Sequence, residues 1–210
     1  LGRLVGNTPV NWNYHTEPEP ALHGRRLWWP RGKVLGGSSS INAMCYTRGT
    51  PADYDAWAAD GAHGWAWQSV LPYFLRAEGN SRGASPLHGG DGPLAVSDLR
   101  HVNPLSQAFV EAGIQAGWPR NDDFNGPTQA GVGLYQVTQR DGARCSAAAA
   151  YLAPARTRPN LQVVTGALTQ RIVVEHGRAT GVEYRHRGRL HQAGASAEVL
   201  LCGGAVNSPQ

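Results

Sequence analysis

Over the first two-thirds of the chain, short stretches of apolar residues at helical spacing are separated by polar loops. Over the last third the apolar positions alternate, as in strands. Residues 1–30 read as extended and loop-like, since the segment Pro9 to Tyr14 and the stretch Glu17 to Pro20 resist helix formation. Gly24 to Pro30 reads as a hairpin tip and a short strand. A helix is expected from Ser38 to about Arg48. A second, short one covers Asp53 to Ala58, with Pro51 in its first turn and Gly61 at its end. Ser69 caps a third over Val70 to Ala77, stopped by Gly79-Asn80. Leu105, Ala108, Phe109 and Ala112 place a fourth helix over Pro104 to Gly117, and Ser146 to Leu152 is a short Ala-rich one. Strands are expected over Leu134–Arg140, Leu161–Thr165, Leu168–Glu175, Ala179–His186 and Leu190–Leu201. Residues 80–93, rich in Gly, Pro and Ser, are the best internal linker, and residues 119–133 form another long loop. No internal repeat or low-complexity tract interrupts the pattern. The fold class is α/β, in a mixed α+β arrangement.

Composition narrows this picture without changing it. At 210 residues, 41% hydrophobic and 16% charged, the chain is globular rather than disordered. No apolar run approaches the roughly 18 residues of a membrane span. No signal peptide is visible. Leu1 to Asn7 offers no obvious first element. Glu198 to Gln210 reads as a buried-type strand, a Gly turn and a Ser-Pro helix start, so the chain reads as an internal fragment of a longer protein. The net charge of +4 rests almost wholly on arginine, Lys33 being the only lysine. Its densest run, Arg185-His186-Arg187-Gly188-Arg189, reads as a solvated hairpin tip. No aromatics interleave with it, so no nucleic-acid partner is expected. Cys45, Cys145 and Cys202 lie far apart without metal spacing. They fit packing roles in a reducing compartment, and no metal site is expected.

The segment Arg31 to Met44 carries the chemistry. Gly36 and Gly37 allow close approach of a ligand to backbone, and Ser38-Ser39-Ser40 can cap a helix and offer hydroxyls. N–H groups at such a helix start favour an anion, and Arg31 and Lys33 add charge upstream. This is a place to hold a phosphate or pyrophosphate, with the rest of the ligand running past Asn42 one turn on. An ordinary Gly-Gly turn with a Ser cap explains the same spacing equally well. Other motifs do not fit: there is no G-x-x-x-x-G-K-[ST], no complete G-x-G-x-x-G and no G-x-S-x-G. Gly131-Val132-Gly133 reads as a turn into the Leu134 strand.

The run Gly32 to Asn42 resembles the first signature of the glucose–methanol–choline (GMC) flavoprotein oxidoreductases. Tyr46 to Trp57, Gly64 to Phe74 and Gly89 to Leu94 continue the likeness, and Gly203 to Gln210 resembles the opening of the second signature. Within the family, Asn42 to Gly49 is most like bacterial alcohol and choline dehydrogenases.

The resemblance implies an FAD-dependent dehydrogenase that oxidises a primary alcohol to an aldehyde by hydride transfer to flavin N5. Choline dehydrogenation, or a non-catalytic flavin-binding module, stands as the alternative. It also implies a quinone or other acceptor rather than oxygen, and a cytoplasmic setting, with association at the cytoplasmic membrane face as an option. By the resemblance Val34, Gly36, Gly37 and Ser38 line the FAD pyrophosphate and ribityl chain. Asn42, Ala43, Met44 and Cys45 pass the isoalloxazine ring. The backbone of Leu168 meets the adenine, and Gly203, Gly204 and Ala205 close the FAD fold. The family's covalent attachment position, a His in some members, is Ile41 here, which implies non-covalent FAD. The resemblance divides the chain into a flavin-domain segment with the flavin-covering loop (1–80), part of a substrate domain built on a sheet (81–160) and a return to the Rossmann-like FAD domain (161–210). It places the catalytic histidine beyond Gln210 and the dinucleotide fingerprint before Leu1. The fragment alone is then inactive and leaves core exposed. The eight histidines of the chain are given surface or packing roles.

Overall fold

The computed structural model describes residues 8–209. The expectations for Leu1 to Asn7 and for Gln210 lie outside them. The chain forms two compact units that divide between Thr157 and Arg158.

The first unit opens with a two-stranded antiparallel ribbon, β1 (Tyr14–His15) on β2 (Trp28–Trp29). Helix α1 (Pro51–Ala59) follows. Its N-terminus is a capping box: the Asp53 carboxylate accepts from the Thr50 N–H and hydroxyl. Those bonds hold the Asp53 carboxyl below the usual range. Helix α2 (Trp67–Ala77) starts three residues before the expected Val70. Its first N–H is taken by the Asp55 carboxylate of α1, so Ser69 sits inside the helix and is not its cap. Tyr54 is buried between the helices, against the rings of Trp57, Trp67 and Phe74.

Strands β3 (Glu78–Asn80) and β4 (Leu94–Val96) then pair in parallel. The loop between them is no linker. Asn80 N–H donates to Gly89 O, Gly92 N–H donates to Glu78 O, and a Cβ on Gly89 would stand 1.8 Å from Leu75 O. The glycines that suggested flexibility are instead required by close backbone packing. Helix α3 (Pro104–Gln115), capped by Asn103, matches the expected one. It exposes Leu105 and Phe109, in keeping with the expectation of uncovered apolar surface.

The expected strand Leu134–Arg140 shrinks to β5 (Gln139–Arg140), paired with β6 (Ala143–Arg144). Upstream of it, Val137 alone bridges Cys45 and Ser97. The Ala-rich segment is a wide helical turn, Ala148–Leu152, running into α4 (Ala153–Ala155).

The second unit is a three-stranded antiparallel meander, β7 (Ala167–Glu175), β8 (Arg178–His186) and β9 (Arg189–Gly194), followed by the one-turn α5 (Gly204–Asn207). β7 and β8 match expectation. Leu161–Thr165 forms no strand, and β9 stops at Gly194 rather than Leu201. Apolar runs without a partner strand have no ladder to join, so neither segment is held as β.

Candidate functional site

The glycine–serine segment does not become the long helix that its composition suggests. It makes one 3-10 turn, Gly37–Ser40, and then extends. The reason lies in the serines. Ser38 Oγ accepts from the Gly32 N–H at 3.1 Å, Ser39 Oγ donates to Gly36 O, and Ser40 Oγ donates to Leu35 O at 2.8 Å. Such side-chain bonds to nearby backbone compete with helix propagation. The serine hydroxyls therefore lock the turn, and a four-residue turn has no helix dipole of consequence. The upstream charges are also differently placed. The Lys33 ammonium lies over the Trp12 ring and the Arg31 guanidinium over Trp29.

The turn is open on one side, at Gly37. Gly36 and Gly37 have φ of +86° and +55°, and a Cβ on Gly37 would meet nothing within 4 Å. Val34 is partly exposed beside the turn, and its carbonyl accepts from the Gly37 N–H.

After the turn, Asn42 Oδ1 accepts from the Met44 N–H, and Met44 takes φ +66°. This left-handed residue swings the chain into an extended edge over Met44 to Arg48. Along it Met44, Tyr46 and Arg48 turn inward, while Ala43, Cys45 and Thr47 are exposed. The period is that of a strand. Tyr46 N–H donates to Gln136 O, and Thr138 N–H donates to Met44 O. The expectation that Asn42 sits one helical turn along the same face is thereby replaced. Asn42 is the corner residue between turn and edge.

Val34, Gly36, Gly37, Ser38, Asn42, Ala43, Met44 and Cys45 thus form one continuous turn and edge. Leu168 lies second in β7, opposite Arg185. Gly203, Gly204 and Ala205 lie at the start of α5, where Gly204 has φ +87° and open space around a Cβ. These four belong to the second unit.

Sequence reasoning missed Arg144. Its Nη1 donates to Ser39 O at 3.0 Å and to Asn42 Oδ1 at 2.8 Å, so one guanidinium joins turn to corner from more than 100 residues downstream. Partial burial lowers its pKa from the ordinary value. Replacing it with methionine, R144M, removes two charge-assisted bonds. We expect the unfolding free energy to fall by about 1–3 kcal/mol, read by urea titration.

A second omission is a buried polar cluster beside the inner face of the edge. Glu78 is fully buried. Its Oε1 accepts from Asn80 Nδ2 at 2.8 Å and from His88 Nδ1 at 2.9 Å, and its Oε2 accepts from the Gly89 N–H. His88 Nε2 faces Asp123 Oδ2 at 3.0 Å. Asn80 Nδ2 also donates to Gln136 Oε1 at 2.8 Å. His88 therefore bridges two carboxyl groups, one of them fully buried. Nothing in local periodicity marks it.

Arg48 is buried against the rings of Trp67 and Phe74, with Nη2 donating to Leu87 O and Asn125 O. Its Nε and Nη1 have no hydrogen-bond partner. The Tyr46 phenol beside it is pushed up to about 12, first by burial and then by Glu78. A phenol raised from its unfolded value near 10 contributes stability that is complete below about pH 10 and lost as pH rises toward 12. We expect unfolding free energy to fall by about 2–3 kcal/mol across that window, and the Tyr46→Phe variant to lose this slope. Urea titrations between pH 8 and 12 read it.

Among the described residues no cluster of three or more His, Cys, Asp or Glu could hold a metal ion, and no helix is long and apolar enough to cross a membrane. All three cysteines are unpaired. Cys145 is buried, as a packing thiol should be, whereas Cys45 and Cys202 are exposed.

The open glycine turn thus leads into an edge whose alternate residues are exposed. The chain belongs to the GMC oxidoreductase family, whose family model matches residues 5–210. Members of this family bind FAD, act on alcohols and pass electrons to acceptors. Among particular relatives, the chain is 50% identical over 200 residues to the mitochondrial choline dehydrogenase of Mus musculus, covering 95% of this chain and 34% of that protein. It is 50% identical over 203 residues to the oxygen-dependent choline dehydrogenase of Paraburkholderia phytofirmans, covering 95% of this chain and 36% of that one. The chain thus spans about a third of the length of the curated relatives it matches. The crystal structure of pyridoxine 4-oxidase from Mesorbium loti aligns with a TM-score of 0.90 at 37% identity, over 99% of this chain and 41% of that one.

Proposed function

We propose that this chain is the flavin-holding part of an FAD-dependent dehydrogenase that oxidises a primary alcohol to an aldehyde. The observation that carries this reading is the locked Gly36–Ser40 turn continuing into an edge whose alternate residues are exposed.

The residues present fit FAD. A cofactor lying over Gly37 occupies space that any Cβ would fill. Val34, Gly36, Gly37 and Ser38 would hold its pyrophosphate and ribityl chain by backbone approach, with the Arg144 guanidinium fixing the turn from behind. Asn42, Ala43, Met44 and Cys45 would pass the isoalloxazine ring. Leu168 would meet the adenine through its backbone, and Gly203, Gly204 and Ala205 would close the cofactor fold. Bound FAD supplies the hydride acceptor, at flavin N5. Ile41 offers no nucleophile for covalent attachment, so the cofactor is held non-covalently. We assign residues 1–80 and 161–210 to the flavin domain and 81–160 to the substrate domain, and we assign the proton-accepting base to no residue of this chain.

Choline is the first candidate substrate, giving betaine aldehyde, because the similar proteins from mouse and from Paraburkholderia phytofirmans are both choline dehydrogenases. The test is direct. The full-length protein is purified and denatured, and flavin is assayed in the supernatant and the precipitate. Free yellow flavin supports the reading, and no flavin in either fraction defeats it. Turnover of choline is then compared with short and long alcohols, using an artificial acceptor, a quinone and oxygen.

A further inference from the structure

We propose that Asn125 is a positioning residue for the flavin, acting through the edge Met44 to Arg48. The proposal rests on the flavin reading above and adds to it a residue from a loop nearly 80 positions away.

The edge is held at its start by backbone, through the bonds of Met44 and Tyr46 to Thr138 and Gln136. Farther along, among the described residues, side-chain amides take over from backbone, Asn125 with two bonds and Gln129 with one. Asn125 Nδ2 donates to Tyr46 O at 3.1 Å, and Asn125 Oδ1 accepts from the Arg48 N–H at 2.7 Å. One amide thus spans Thr47 as a strand partner would, and both partners fix which end is oxygen and which is nitrogen. Gln129 Nε2 extends the clamp to Arg48 O. Asn125 is itself buried and braced: its N–H donates to Asp123 Oδ1 at 3.0 Å, while Asp123 Oδ2 faces His88. The Glu78–His88–Asp123 cluster therefore fixes the loop, the loop fixes Asn125, and Asn125 fixes the inner side of the edge. Ala43, Cys45 and Thr47 then present a rigid outer side. A displacement of about 1 Å in a positioning element can cost about a hundredfold in rate.

The experiment uses the full-length holoenzyme and two variants. Asn125→Asp keeps the acceptor for Arg48 but sets an oxygen against Tyr46 O. Gln129→Ala removes one bond at an exposed residue. We expect Asn125→Asp to shift the visible circular dichroism of bound flavin and its reduction potential, and to lower kcat about tenfold or more with KM little changed. Gln129→Ala should shift both signals in the same direction by less. Should Asn125→Asp fail to fold, Gln129→Ala decides. Wild-type flavin spectra, potential and kcat in the folded variants, with only thermal stability reduced, would overturn the proposal and leave the flavin reading intact. A wild-type protein without flavin overturns both.

Discussion

Replacing His88 with alanine should lower the stability of the full-length protein by about 2–4 kcal/mol, because buried Glu78 loses a hydrogen-bond partner and the missing ring leaves a cavity. Glu78 is fully buried, and His88 Nδ1 lies 2.9 Å from its Oε1. Without the ring, its carboxylate keeps only the neutral donors of Asn80 and Gly89. The second acid, Asp123, loses its partner too. Urea unfolding of H88A measures the loss. The double variant Glu78→Gln with His88→Gln should recover much of it, because the two amides can then pair with each other. Equal stability of H88A and the wild type would show that the ring does not hold Glu78.

A second pair of substitutions separates the structure of the glycine turn from its use. A Cβ on Gly32 would lie 2.2 Å from Gly37 O and 2.7 Å from Ser38 N, both backbone atoms that cannot step aside. Gly32→Ala should therefore displace the whole turn and lower both stability and flavin content. Gly37 differs. Its Cβ would meet no protein atom within 4 Å, so Gly37→Ala carries only the strain of a left-handed residue, about 1–2 kcal/mol. Its methyl group would, however, project into the space assigned to the pyrophosphate. We expect the flavin dissociation constant to rise at least tenfold while the unfolding transition moves only slightly. Unchanged flavin affinity in G37A would place the cofactor elsewhere.

The cysteines and histidines show how far residue type alone can be trusted. Packing was expected for every thiol, and burial of Cys145 agrees with it. A bland role was expected for every histidine. His88 does pack, but as a hydrogen-bonded strut whose two partners lie 10 positions before and 35 positions after it. No periodicity links such positions.

The sequence by itself determined the class of fold, the positions of α1, α2, α3, β7 and β8, the family and the glycine turn. Each of these is local. Helical or alternating spacing, a capping box or a pair of left-handed glycines acts within a few residues, so a short window contains the physics. Only the tertiary structure decided that the segment after the serines is an edge rather than a helix. The serine hydroxyls had a backbone to bond, and Val137, Thr138 and Asn125 supplied partners for an extended chain from 77 to 94 residues away. It likewise turned a glycine-rich loop into packed core and gave Arg144 to the turn. Contacts of that range depend on which distant groups meet, and no local pattern in the chain records them.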